Sequence, residues 1–143
     1  MKVQQISIFM ENRAGRLAAV ARLLGTTGIN IRALSLADTS DFGILRLIVD
    51  KPEEAKKALK ANSFTFNVTD VVAVQIPDEP GGLASVLEAL QAQNVNVEYM
   101  YAFVEKCGGK AIVVFRFDDL DGAIGLLQGA GVRVLSRQEV LSL

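Results

Sequence analysis

Apolar positions along the first half of the chain switch between an alternating pattern and a helical one. Residues 3–9 alternate, which is typical of a strand with one buried face. Apolar residues recur at helical spacing from Leu17 to Leu24, and the stretch from Gly25 to Gly28 predicts the end of that helix. Residues 29–37 and 43–49 are then predicted as the second and third strands.

A second helix and a fourth strand complete this segment. Asp50 is a plausible helix cap, Pro52 suits a first helical turn, and Ala55 and Leu59 recur at helical spacing. Residues 64–69 are predicted as the last strand. The predicted order is therefore βαββαβ, which is the order of the ferredoxin-like unit.

The chain then repeats this pattern. The segment that begins at Ile6 aligns without a gap on the segment that begins at Val72, which is the signature of an internal duplication. The alignment pairs Asn12 with Asp78, Gly15 with Gly81, Leu17 with Leu83, Asn30 with Asn96 and Ile31 with Val97. We therefore expect two units, residues 1–69 and 70–143, with almost no linker between them.

The second copy predicts the same elements. They are a strand from Val72, a helix over 83–90 that ends in the polar run 91–94, strands over 95–103 and 111–117, a helix over 120–128 and a last strand over 132–135. Asp118 or Asp119 is expected to cap the later helix, which Gly122 and Gly125 should each weaken by roughly 1 kcal/mol.

This order predicts an α+β fold of two ferredoxin-like units, each with an antiparallel sheet and both helices on one face. The open face of such a sheet should be polar. Here the third strand is apolar on both sides, with Leu45 and Leu47 opposed by Ile44 and Ile48. A lone unit would therefore expose a large apolar patch. We expect the units to pack on each other and the chain to form a homodimer.

The amino-acid composition excludes several functions. The chain has 143 residues with a net charge of −1, no His and one Cys, Cys107. Without His there is no Ser-His-Asp or Cys-His catalytic unit, and one Cys excludes an internal disulfide and paired-thiol metal carriage. The near-neutral charge lacks the cationic excess that nucleic acid favours. No apolar run is long enough to span a bilayer, so we expect a cytoplasmic protein with no membrane or nucleic-acid partner.

The turn between the first strand and the first helix carries the clearest chemistry. In the second copy Asp78 is expected to cap the helix, Pro80 fixes a backbone angle, and Gly81 permits a close approach by a ligand. With Gly82, this turn offers several N–H groups at a positive helix end, where a carboxylate or phosphate would bind. The alternative interpretation of one copy is a turn and cap only.

These residues resemble an ACT domain, a small module that senses amino acids. The second copy resembles it through the run from Asp78 to Leu83 followed by Asn96 and Val97, and the first copy through the run from Asn12 to Leu17 followed by Asn30 and Ile31. The tandem arrangement is similar to small stand-alone double-ACT proteins. The resemblance implies a non-catalytic regulatory module that binds a free amino acid, needs no cofactor or metal, and acts alone or on a biosynthetic enzyme.

The resemblance also implies where the amino acid binds, which is between the loop of one unit and the second strand of another. Backbone N–H groups would hold the carboxylate, Asn12 or Asp78 the ammonium group, and Asn30 or Asn96 would add an amide contact. The implied site residues are Asn12, Arg13, Ala14, Gly15, Arg16, Leu17, Asn30, Ile31, Asp78, Glu79, Pro80, Gly81, Gly82, Leu83, Asn96 and Val97. Asn12 and Ala14 depart from the Asp and Pro that the family usually has.

Other interpretations stay open. Ferredoxin-like units also host acylphosphatases, and Arg13 or Arg16 with Asn30 would imitate their phosphate site, although a general base is missing. Both arginines are more simply interpreted as solvated surface residues. Phe115 and Phe117 would suit RNA stacking, but the surrounding motif is absent, which favours a core role.

Overall fold

The computed structural model describes residues 1–38, 41–103 and 108–143, so Cys107 lies outside the described residues. The chain divides into two compact units. We call residues Gln4–Thr69 the first unit, and Asp70–Leu143 with Met1–Val3 the second unit. In the part of the chain that is described, no helix is long and apolar enough to cross a membrane.

The first unit has the predicted order of elements. They are β1 (Val3–Glu11), α1 (Arg16–Thr26), β2 (Ile31–Asp38), β3 (Phe42–Val49), α2 (Pro52–Ala61) and the first part of β4 (Thr65–Pro77). Strand β3 pairs antiparallel with β1 on one side, where Ile8 is opposite Leu45, and with β2 on the other, where Leu36 is opposite Leu45. This pairing places β3 between the other two strands.

The core of the first unit is made by one face of the sheet and both helices. Ile6 and Ile8 of β1 pack with Leu47 of β3, and Val20 of α1 and Leu59 of α2 cover them. Each of these five side chains is at most 1% exposed. Both helices therefore lie on the same face of the sheet, as predicted.

The second unit repeats this arrangement. Its elements are the later part of β4, α3 (Gly82–Ala92), β5 (Val97–Ala102), β6 (Lys110–Phe117), α4 (Leu120–Gly129), β7 (Arg133–Val134) and α5 (Arg137–Leu141). Strand β6 pairs antiparallel with β4 and β5, and β7 pairs with β4. Phe115 and Phe117 are fully buried and stack with their ring centroids 5.3 Å apart, so the core role is confirmed over RNA stacking. The predicted α+β, ferredoxin-like class is confirmed.

Helix termini correct several details. Asp50 is not the cap of α2: Lys51 occupies that position, and the Asp50 Oδ1 atom instead accepts a hydrogen bond of 2.8 Å from the Asn30 N–H. Pro52 does start α2. Helix α1 continues through Gly25 to Thr26, and Gly28, with a positive φ of 78°, follows its end.

The predictions of helix α4 and of its cap are confirmed. The Asp119 side chain accepts a hydrogen bond of 3.0 Å from the Gly122 N–H. A Cβ atom at Gly122 would lie 2.3 Å from the Asp119 Oδ2 atom. This glycine therefore makes room for the capping carboxylate, a role that offsets the weakness expected from glycine in a helix.

Two features were not predicted. Strand β4 runs without a break from Thr65 to Pro77, where we expected two strands, because many of its side chains are β-branched and neither Asn67 nor Asp70 forms a turn. Helix α5 follows β7 and starts at a capping box, in which the Glu139 N–H donates to the Ser136 Oγ atom and the Ser136 N–H donates to the Glu139 carboxylate.

Candidate ligand-binding loops

The two loops before α1 and α3 have the same backbone geometry. Gly15 and Gly81 precede the helices with φ angles of 90° and 85°, a left-handed conformation that favours glycine. The Arg16 N–H donates to the Arg13 carbonyl at 3.3 Å, and the Gly82 N–H donates in the same way to the Glu79 carbonyl at 3.0 Å. Two copies of one turn therefore occur at the aligned positions.

The expected cap at Asp78 is wrong. The residue before α3 is Gly81, and it makes no side-chain capping bond; the same holds for Gly15 before α1. Among the described backbone hydrogen bonds, the Leu17 and Leu83 N–H groups have no acceptor. In each helix the first turn therefore contains an N–H group with no backbone acceptor among the described residues, as is general for the start of a helix.

Gly81 and Gly82 serve different purposes. A Cβ atom added at Gly82 would lie 2.1 Å from the Pro77 carbonyl oxygen, so the chain's own backbone requires a glycine there. A Cβ atom at Gly81 would meet no heavy atom within 4 Å. The space beside Gly81 is therefore open, and its positive φ explains the glycine.

A small cavity of about 50 Å³ lies at the first loop. It is lined by Met10, Glu11, Asn12, Arg13, Arg16, Leu17, Leu36 and Gly43. Four of the predicted site residues therefore meet here, whereas Ala14 and Gly15 are exposed beside it and do not line it. The Asn12 N–H donates to the Asp41 carbonyl at 2.8 Å, which fixes the start of the loop against the turn before β3.

The two arginines of this loop have different surroundings. Arg13 is exposed, and its Nε atom lies 3.2 Å from the Glu11 carboxylate, so it fits the predicted surface role. Arg16 is half-buried and stacks over the Phe64 ring, and its buried Nε atom has no hydrogen-bond partner. Arg16 therefore departs from that prediction and holds an unused donor at the cavity.

The predicted residues of the second strands lie at the other end of each unit. Asn30 comes after the C-terminal end of α1, where it exchanges hydrogen bonds with Asp50. Helix α1 has 11 residues, which at ~1.5 Å per residue separates this end from the loop by roughly 16 Å. Within one unit, Asn30 and Ile31 are therefore not brought to the loop, and the aligned Asn96 and Val97 follow α3 in the same way.

Asn96 and Val97 line a separate cavity of about 250 Å³. Its other lining residues are Leu87, Leu90, Gln91, Asn94 and Val95. Three amide side chains and an apolar wall therefore surround this space. At the second loop, Asp78, Glu79, Pro80, Gly81 and Leu83 are all exposed, and Gly82 is buried.

Sequence reasoning missed the residues that approach the loops from distant positions. Phe64, Leu36 and Gly43 reach Arg16 or its cavity from three different strands or their ends. The sequence offers no local signal for these contacts. It does offer one for helix α5, since Ser136 and Glu139 have the spacing of a capping box.

Each unit is thus a ferredoxin-like module with a repeated, glycine-based loop at a helix N-terminus. Residues 1–137 match the family model of the ACT domain pair. The chain belongs to this family, as the resemblance predicted. ACT domains are regulatory ligand-binding modules rather than catalytic ones.

Solved structures agree with this assignment. Protein BT0572 from Bacteroides thetaiotaomicron is 43% identical with a TM-score of 0.94, and the match covers 100% of this chain and 98% of that one. The regulatory subunits of aspartate kinase from Thermus thermophilus and Thermus flavus are 16% and 18% identical, with TM-scores of 0.60 and 0.61. Each of these two matches covers 89% of this chain and 91% of the subunit, and shows the fold alone. No curated protein matches the chain.

Proposed function

We propose that the protein is a non-catalytic regulatory module that binds a free amino acid at the loops before α1 and α3. The observation that carries this proposal is the duplicated loop in a member of the ACT domain pair family, in which the Leu17 and Leu83 N–H groups have no described backbone acceptor in either copy. Nothing in the structure or in the related proteins favours the acylphosphatase-like alternative.

The amino-acid carboxylate would bind at the helix N-termini. The Leu17 and Leu83 N–H groups lie at the first turns of α1 and α3, where unpaired N–H groups and the helix dipole favour an anion. Gly15 and Gly81 allow the ligand to approach the backbone, because no side chain occupies these positions. The proposed contact is therefore made by main-chain atoms and does not depend on the loop side chains.

The ammonium group would distinguish the two loops. Asp78 carries a negative charge where the first loop has the neutral Asn12. A charge-assisted hydrogen bond is stronger than a neutral one, so the second loop should bind a zwitterion more tightly. Arg16, with its unused Nε donor, gives the first loop a second group for the carboxylate instead.

We further propose that two copies of the chain associate and that Asn30 or Asn96 completes a site supplied by another unit. The separation of these residues from the loop of their own unit supports this part of the proposal. Leu34 and Leu36 of β2 are 44% and 49% exposed, and an apolar strand edge of this kind favours pairing with another chain. A regulated biosynthetic enzyme would then respond to the ligand-bound assembly.

A thermal-shift screen of the twenty amino acids tests the proposal, because a ligand that binds only the folded state raises the apparent Tm. We expect at least one amino acid to raise the Tm at millimolar concentration. Asp78→Asn, which gives the second loop the first loop's residue type, should reduce the shift. Asn12→Asp should increase it.

The screen also has contradicting outcomes. If no amino acid changes the Tm while an acyl phosphate does, the acylphosphatase-like alternative replaces the proposal. If an amino acid raises the Tm equally in wild type, Asp78→Asn and Asn12→Asp, the ammonium group is held elsewhere and the loop assignment is wrong. Gly81→Val is a poorer test, because its φ of 85° strains any other residue.

A further inference from the structure

A cavity of about 330 Å³ in the second unit lies beside the second loop, because Pro77 and Ser85, which flank that loop, line it. Its volume lies in the range of about 300–1,000 Å³ that is typical of small-molecule sites. Its walls come from α3, from the turn after α4, and from β4, β6 and β7, through Gln75, Pro77, Ser85, Val86, Ala89, Lys110, Ala130, Gly131, Val132 and Arg133. None of the residues from Asp78 to Leu83 lines it.

The lining carries positive charge and no negative charge. Lys110 and Arg133 are cationic, and no acidic residue is among the lining residues. Ser85 adds a hydroxyl group and Gln75 an amide group, whereas Val86 and Val132 supply an apolar wall. A cavity with these groups favours an anion that has an apolar part, and it disfavours a ligand that brings an ammonium group.

Arg133 is held in position from outside the cavity. Its guanidinium forms an ion pair with Glu139, which belongs to the capping box of α5 and does not line the cavity. The Ser136 N–H and Oγ atoms bind the same glutamate. Because the Glu139 carboxylate engages only the Nη2 atom of Arg133, the other guanidinium N–H groups remain available to a second acceptor.

The first unit provides an internal comparison, because its backbone is equivalent at this place. Val132 and Gly131 follow α4 with the same backbone hydrogen bonds that Phe64 and Ser63 make after α2. Gly131 and Ser63 both have a positive φ, 78° and 62°. The strand register agrees, since Lys110 is opposite Pro77 just as Phe42 is opposite Glu11.

The equivalent positions of the first unit lack the cationic and polar side chains of this cavity. Phe64 replaces Val132 and packs on the first unit's core, with Arg16 over its ring. Leu23 replaces Ala89 and packs on the same core. Phe42, Thr65 and Ala19 stand where the second unit has Lys110, Arg133 and Ser85. The two copies therefore differ here by larger apolar side chains in one and by cationic and polar groups in the other.

We propose that this cavity of the second unit binds a small carboxylate that has an apolar chain and no ammonium group. Lys110 and Arg133 bind the carboxylate, and Val86 and Val132 contact the chain. The site differs in its residues from the amino-acid site proposed above, because none of the residues from Asp78 to Leu83 lines it. The module would then bind two ligands, an anionic carboxylate in this cavity and a zwitterionic amino acid at the loops.

Isothermal titration calorimetry of the full chain with butanoate, 2-aminobutanoate and inorganic phosphate tests this proposal. We expect butanoate to bind, and 2-aminobutanoate, which differs by one ammonium group and can also bind at the loops, to compete with bound butanoate at least about tenfold more weakly than butanoate itself. Phosphate should also bind more weakly, because it gains nothing from the apolar wall. The result that overturns the proposal is absence of butanoate binding at millimolar concentration, or competition with butanoate by 2-aminobutanoate or phosphate that is as strong as competition by butanoate itself.

Two kinds of variant locate the site. Lys110→Met should weaken butanoate binding about tenfold or more, because it removes a charge-assisted hydrogen bond. Lys57→Met, which makes the same change at an exposed position of α2 in the first unit, should leave binding unchanged. Val132→Phe, which copies the residue found in the first unit, should fill the cavity and abolish binding. Equal binding by wild type and by Lys110→Met would overturn the proposal even if Val132→Phe fails to fold.

Discussion

The guanidinium carbon of Arg16 lies 5.3 Å from the centroid of the Phe64 ring. This contact joins the first residue of α1 to the residue before β4, so it connects the loop before α1 to the sheet of the first unit. A cation over an aromatic face is stabilised by the quadrupole of the ring, by ~0.5–1 kcal/mol at an exposed position. The loop is therefore held by a side chain that also retains an unused donor.

We expect Arg16→Gln to lower the free energy of unfolding by about 0.5–1 kcal/mol, because the cation–π contact is lost. Urea denaturation followed by circular dichroism measures this change. Arg22→Gln, on the exposed face of the same helix, is the matched control and should have no effect. An equal loss in both variants would show that helix propensity, and not the contact with Phe64, is responsible.

Gly82 and Gly125 should respond in opposite directions to alanine. Gly82→Ala should lower the free energy of unfolding by ~1–3 kcal/mol, because the added Cβ atom would lie 2.1 Å from the Pro77 carbonyl oxygen. Gly125→Ala should raise it by up to about 1 kcal/mol, because that position is helical and open. Chemical denaturation of the two variants checks both signs, and a stabilised Gly82→Ala would contradict the close approach at Pro77.

Glu139 should make the stability of the second unit depend on pH in the acid range. The backbone hydrogen bond from Ser136 is the main reason that the pKa of the Glu139 carboxyl lies below its usual value of 4.5, and Arg133 adds to the effect. A lowered folded-state pKa stabilises the protein above the unfolded pKa, and this contribution disappears as pH falls through the folded value.

The measurement is the Tm of wild type and of Glu139→Gln over a series of pH values. At pH 7 the variant should melt at a lower temperature than wild type, because glutamine lacks the charge that binds Arg133. The difference should decrease as pH falls below about 4.5, the usual pKa of a glutamate carboxyl. A Tm difference that stays constant down to the lowest pH would show that the charge of Glu139 contributes nothing.

The predicted homodimer can be tested at the edge of the first unit. Leu34 and Leu36 are exposed on β2, which in the described residues pairs only with β3. Replacing both leucines by lysine should convert the dimer into a monomer, because charged side chains block pairing at a strand edge. Light scattering at micromolar concentration measures the mass. Val68→Lys, at a residue 38% exposed on β4, is the control and should leave the dimer intact.

A monomeric wild type would contradict the proposed association of two chains. The proposed binding at the loops would then have to be completed within one chain. Wild type and both lysine variants should therefore be compared at the same protein concentration, since association depends on it.

Local signals in the sequence predicted much of the fold. Asp119 directly precedes a helical pattern, and it caps α4 as expected. Asp50 has the same local appearance but binds the Asn30 N–H, a partner that no local pattern reveals. The duplication aligned Gly15 with Gly81, and both have the same left-handed conformation because the same turn is built twice.

The features that the sequence did not predict are contacts between segments that are distant in the chain. The stacking of Arg16 on Phe64 and the meeting of Lys110 with Arg133 at one cavity each join residues far apart in the sequence. Periodicity describes one element at a time, so it cannot bring such residues together. The repeat nevertheless helps to interpret the cavity of Lys110 and Arg133, because the first unit has uncharged residues at the equivalent positions.

Amide chemical-shift mapping of the isotope-labelled protein tests the amino-acid proposal most directly. The titrant is the amino acid that raises the Tm most in the thermal-shift screen. We predict that the largest shift changes occur at the Gly15 and Leu17 amides and at the Gly81 and Leu83 amides, with the second loop saturating at a lower concentration. Shift changes confined to other residues, or no saturable change with any amino acid, would contradict the account.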